Sequence, residues 1–174
     1  LELGLELMDP QQNIENAFEV TYVKKGSTLH IELHKSLFSP EDEAYGHLNR
    51  YFTHVQNKPF YQNINGVKIA TMQPTDHFFY LICHSFKHFL HSGFGIRQVC
   101  DIVLFANVYG RQIDWQQLLI QCREIRADKF TAALFLIGKN YLNFDIEKSG
   151  FSQEWREMEV DETNLLKELL GSGI

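Results

Sequence analysis

Two stretches of this chain carry side chains whose types and spacing suit chemistry. The first is His30-Ile31-Glu32-Leu33-His34. On an extended strand successive side chains alternate between faces, so His30, Glu32 and His34 share one face. A carboxylate flanked by imidazoles can ligate a divalent metal. His30 and His34 stand about 13 Å apart at the strand rise, so they cannot share one ion unless other ligands fill in. The same row also suits a polar face turned to solvent. The second stretch, Thr75 to Ser92, reads TDHFFYLICHSFKHFLHS. At about 100° per residue, Phe78, Phe79, Ile82, Phe86, Phe89 and Leu90 fall on one side of a helix. His77, His84, His88 and His91 fall together on the other. His84 and His88, one turn apart, can grip a metal as helical histidine pairs do in zinc enzymes, but no HExxH places a general-base glutamate between them. Lys87 beside the row favours an anion instead, since imidazoles and an ammonium can line a phosphate or carboxylate site. The third reading is packing, with one or two histidines buried and hydrogen-bonded and the others on the surface.

Further along, Arg97 and Asp101 stand one turn apart, a spacing that suits a salt bridge on a helix surface or, if buried, between packed helices. Asp114 and Trp115 read as a helix cap and a core anchor. No GxSxG, P-loop or GxGxxG pattern occurs.

The elements that must position these residues follow from periodicity. The opening LELGLELMD reads as the tail of a helix, stopped at Gly4, running into a strand, and the chain as a portion whose N-terminal part lies upstream. Phe18, Val20 and Tyr22 alternate, as do Leu29, Ile31 and Leu33, around a turn at Lys25-Gly26-Ser27, which predicts a hairpin. Ser39-Pro40-Glu41-Asp42 predicts a helix start, with the helix running to about Gln56. Asn65-Gly66 predicts a second hairpin between Phe60–Ile64 and Val67–Met72. The histidine helix follows and ends at Gly93. Helices are then expected over 96–109, from Asp114 to about Arg126, over 128–143 and over 161–170, with the polar stretch 147–160 unassigned. The layout is α+β: a β-rich first third with two hairpins, followed by a helical bundle. Residues 1–73 form the first part of that division and 74–174 the second.

Composition narrows the function classes. With 174 residues, 44% hydrophobic and 13% aromatic, the chain can bury a real core. The formal charge of −6 and the lack of any basic run speak against non-specific nucleic-acid binding. No apolar run of about 18 residues is present to span a membrane, and no signal peptide is visible. Cys83, Cys100 and Cys122 lie far apart in apolar helical patterns, as reduced buried thiols of a cytoplasmic protein do.

Taken in order, LHIELHKSLF, a helix and a hairpin, QPTDHFFYLICHSFKHFLHSGFGIRQVCDIVLF and IDWQQLL resemble the uncharacterised nucleotidyltransferase family of bacteria, within the polymerase-β-like superfamily. The resemblance covers roughly residues 17–125. The matching motifs are Glu32 and His34 on a strand, His84, Lys87 and His88 on a helix, then Arg97 and Asp101, then Asp114 and Trp115. It implies a partial nucleotidyltransferase-type sheet followed by a helical domain. It implies transfer of a nucleoside monophosphate from an NTP to an acceptor, with Mg²⁺ held by acids. Glu32 corresponds to the third metal carboxylate. His34, His84, Lys87 and His88 are expected to line the cleft where nucleotide or acceptor lies, and Arg97 and Asp101 are further substrate-binding candidates. The family's glycine-serine turn and Asp-x-Asp pair have no counterpart in these 174 residues, so the chain by itself is expected to be inactive. The rival expectation is a non-catalytic helical module that binds a partner protein, including a second copy of itself as a homodimer.

Overall fold

The structure is a computed structural model that describes residues 4–91 and 94–171. It contains small antiparallel sheets followed by a mostly helical region, the α+β layout expected. The chain divides into two compact units, Leu1–His54 and Val55–Ile174. The second hairpin therefore groups with the helices.

In the first unit, β1 (Leu5–Leu7), β2 (Glu19–Lys24) and β3 (His30–His34) form a three-stranded antiparallel sheet with β2 in the middle. β1 is the strand into which the expected helix tail, stopped at Gly4, runs. Its Leu-Glu-Leu has the period of two that a strand needs, and it pairs along β2 from Leu5 opposite Lys24 to Leu7 opposite Tyr22. Residues 1–3 of that expected tail lie outside the described residues. The expected hairpin of β2 and β3 is present, with a turn in which the Ser27 N–H donates to the Lys24 carbonyl at 3.0 Å. Val20 on β2 is buried, whereas Leu29 and Leu33 are about half exposed. As an edge strand, β3 leaves much of its apolar row uncovered.

The helix expected from Ser39 to Gln56 does not form. A 3₁₀ helix at Gly46–Phe52 and a shorter one at Val55–Asn57 take its place. The reason is local. The Asp42 carboxylate accepts hydrogen bonds from the N–H groups of Ala44 and Tyr45 at 2.9 and 3.1 Å, which turns the chain instead of starting an α-helix. Gly46 then passes against the carbonyls of Ser39 and Pro40, where a Cβ would sit within 2.9 Å of both oxygens. The Asn49 side chain ties this turn to the Phe38 N–H and carbonyl.

In the second unit, β4 (Phe60–Ile64) and β5 (Val67–Thr71) close around Asn65 and Gly66. Both turn residues have positive φ, 51° and 84°, as a type I′ turn requires. The helices are α1 (Pro74–His91), α2 (Ile96–Tyr109), α3 (Trp115–Glu124), α4 (Asp128–Tyr141), α5 (Ile146–Ser149), α6 (Gln153–Arg156) and α7 (Glu162–Gly171). The stop expected at Gly93 lies outside the described residues. Asp114 caps α3 by accepting from the Gln117 N–H at 2.9 Å.

The core of this unit is aromatic. Phe135 on α4 lies among Phe78, Trp115, Phe144, Phe151 and Trp155. The stretch 147–160, unassigned from sequence, is pinned by this cluster. The Trp115 indole donates to the Ser149 carbonyl at 3.2 Å, and the Trp155 indole donates to the Trp115 carbonyl at 3.1 Å. Three residues of the expected apolar stripes, Leu90, Leu104 and Tyr141, are instead exposed. Among the described residues no helix is long and apolar enough to cross a membrane.

Candidate functional site

The polar face of the first hairpin gathers three donors. Antiparallel register sets Glu19 directly opposite His34 and Thr21 opposite Glu32. Directly opposed residues share a face, and so do residues two apart on one strand. Glu19, Glu32 and His34 therefore project together. His34 Nδ1 lies 3.5 Å from Glu19 Oε2, and His34 Nε2 lies 3.6 Å from Glu32 Oε2. One donor atom from each residue fits within a common span of 4.8 Å. The Phe18 ring stands edge-on to the imidazole, with centroids 5.8 Å apart. His30, on the same strand face, pairs opposite Val23 and is no member of this cluster.

A cavity of about 650 Å³ opens beside Glu19, with Lys35, Ser36, Ser39 and Glu41 in its wall. The Lys35 ammonium donates to the Ile14 carbonyl at 2.9 Å and to the Glu15 carbonyl. Sequence reasoning found Glu32 and His34 and missed Glu19. The signal was available in the alternation that put Phe18, Val20 and Tyr22 on one face, because that alternation puts Glu19 on the other.

In the second unit, the histidine row of α1 splits. His84 and His88 come together, ring centroids 4.5 Å apart and edge-on. Burial, and then the charges of His88 and Lys87, push the His84 imidazole below its ordinary pKa. His77 sits apart from that pair, its ring against Phe105 of α2 at 4.8 Å, and burial pushes its pKa down as well. Lys87 and His88 are half-buried, and His91 is exposed. Among the described residues these histidines form no cluster of three metal donors. Arg97 and Asp101 are both exposed on α2, and no ion pair joins them. A further cavity of about 600 Å³ is walled by Phe135, Phe144, Phe151 and Trp155, with Arg156 at its rim bound to Glu147 at 2.9 Å.

The sequence profile of the uncharacterised nucleotidyltransferase family matches residues 2–143. The chain belongs to that family. No curated protein and no solved structure matches the chain. The family match runs from β1 to the end of α4, so it includes both the hairpin cluster and the α1 histidines. The short helices α5 and α6, and α7, fall beyond it.

The donor set of this nucleotidyltransferase-family chain fits a divalent cation. Two carboxylates supply the charge that offsets a dication, and an imidazole supplies a third ligand. The three donor atoms lie within 4.8 Å of one another, close enough for side-chain rotation to bring them onto one ion.

Proposed function

We propose that this chain serves nucleotidyl transfer, in which a nucleoside monophosphate passes from an NTP to an acceptor, with Glu32 as a metal carboxylate. The observation that carries the reading is the grouping of Glu32 with Glu19 and His34 in a chain whose family is nucleotidyltransferase-like. Mg²⁺, the cation that the family resemblance implies, would neutralise phosphoryl charge when bound.

The chain's own residues do the rest. Glu32 and Glu19 would hold the cation on the polar face of the hairpin, where it would offset the charge of a phosphate. His34 limits where the two carboxylates can go. On α1, the His84 imidazole, held neutral by burial, can donate from one ring nitrogen, and the adjacent Lys87 adds a positive charge. That pairing suits an anionic oxygen on substrate or acceptor.

Calorimetry of ATP and the other common NTPs with Mg²⁺ tests this reading. Glu32→Ala should abolish the Mg²⁺-dependent heat while leaving the far-ultraviolet circular dichroism unchanged. Lys87→Ala should weaken nucleotide binding without abolishing Mg²⁺ binding. Binding heat that is the same in Glu32→Ala as in the parent protein would refute the assignment.

A further inference from the structure

We infer that α2 carries a self-complementary strip through which two copies of this chain pair antiparallel. The pairing is separate from nucleotidyl transfer and requires no ligand.

The strip follows from spacing. Arg97, Asp101, Leu104, Val108 and Arg111 step along the helix by four, three, four and three residues. At about 100° per residue they fall within an arc of about 80°. The opposite side of α2, at Val99, Ile102, Val103 and Ala106, is buried in the helical unit. Gly110 keeps helical φ and ψ, −53° and −35°, so the 3₁₀ turn Gly110–Gln112 carries Arg111 onward along the strip. Leu104 is 61% exposed and Val108 67%. Arg97, Asp101 and Arg111 are exposed as well. Among the described residues none of these three makes an ion pair. A single exposed leucine or valine is ordinary. Here the two stack one turn apart on the four-three repeat of a coiled-coil seam, with an acid at one end and a base at the other.

The order of the charges selects the partner and its direction. Two α2 helices laid antiparallel about a twofold axis level with Ala106 set Leu104 against the partner's Val108 and Val108 against the partner's Leu104. Asp101 then meets the partner's Arg111, and Arg111 meets the partner's Asp101. Two equivalent ion pairs flank an apolar centre, and one strip supplies both halves of every contact. A parallel pair would instead set acid on acid and base on base, which disfavours it. Arg97 falls one turn beyond the overlap. The overlap spans about 15 Å of helix and buries much less than the standard interface of about 1,600 Å², so the pairing is weak and reversible.

Sedimentation equilibrium of the protein from about 10 to about 500 µM, under reducing conditions, tests the inference. The mean mass should rise from monomer toward dimer across this range. Leu104→Glu and Val108→Glu should each hold the protein monomeric with unchanged circular dichroism. Leu170→Glu, at an exposed apolar position on α7, should associate as the parent does. Asp101→Arg and Arg111→Asp should each weaken association about tenfold, because each turns two attractions into two repulsions. Both changes in one chain should restore it, because each ion pair then has its two members exchanged. A monomer at every concentration, a dimer that survives Leu104→Glu, or a double exchange no better than the single ones would overturn the inference.

Discussion

Replacing Phe135 with alanine removes the ring on which the helical unit is packed. Phe135 is 2% exposed. Its ring centroid lies 4.5 Å from Phe151, 5.0 Å from Phe144, 5.4 Å from Trp115, 5.8 Å from Phe78 and 6.0 Å from Trp155. A buried aromatic removes about 150–250 Å² from water, which at about 25 cal/mol per Å² gives about 4–6 kcal/mol. That figure is an upper bound, because an unfolded chain already buries part of the ring. Large-to-small core changes of this kind cost about 3–5 kcal/mol, so a loss of about 4 kcal/mol is expected. Against a usual domain stability of about 5–15 kcal/mol the variant should still fold, but with little margin. With a urea slope of about 2 kcal/mol per molar, the midpoint should fall by about 2 M. Tryptophan fluorescence is the natural assay. The chain's two tryptophans, Trp115 and Trp155, both pack on this ring, so the signal reports the perturbed site itself. Phe135→Leu should recover most of the loss. A midpoint shift in Phe135→Ala worth less than about 1 kcal/mol would show that this cluster is not the packed centre described.

Two other measurements probe protonation. Burial lowers the His77 and His84 pKa values in the folded protein, so below the ordinary value near 6.5 the unfolded chain binds more protons than the folded one. Stability is therefore fully present above that pH and declines as pH falls through 6.5. Each histidine contributes a slope of at most about 1.4 kcal/mol per pH unit, reduced by solvent screening because both are only half-buried. His84→Gln should flatten the change in urea midpoint between pH 7.5 and 5.5, and an unchanged pH dependence would contradict the assignment. Burial also raises the Cys83 thiol well above its ordinary pKa and pushes Cys122 up to about 12. Iodoacetamide at pH 8 should therefore label Cys100 first in the folded protein and reach Cys83 and Cys122 only on unfolding, as read by peptide mass spectrometry.

Signals that act over a few residues were legible in the chain. Asn65-Gly66 demanded positive φ at both positions and obtained it. Asp114 offered its carboxylate to the third N–H after it and caps α3. Phe78, Phe79 and Ile82 followed a helical stripe into the core. The helix expected from Ser39 failed because its start signals serve a turn equally well. There the competing use of Asp42, and the close passage of Gly46, depend on where the chain goes next.

The candidate site divides in the same way. Alternation along β3 was enough to put Glu32 and His34 on one face. It could not say which residue of β2 stands across from them, because register depends on the width of the connection. A two-residue turn at Lys25-Gly26 would have set Glu19 against Glu32. The wider connection slides the strands and sets Glu19 against His34. Likewise Trp155 lies in a stretch with no periodicity, and only the carbonyl of Trp115, forty residues away in sequence, gives its indole a partner. The chain by itself determined helix faces, hairpin turns, caps and the family to which it belongs, since those rest on neighbours along the backbone. Tertiary structure alone decided that Glu19 stands across from His34 and not from Glu32, and how α5 and α6 are anchored, since both depend on groups distant in sequence meeting at a few ångströms.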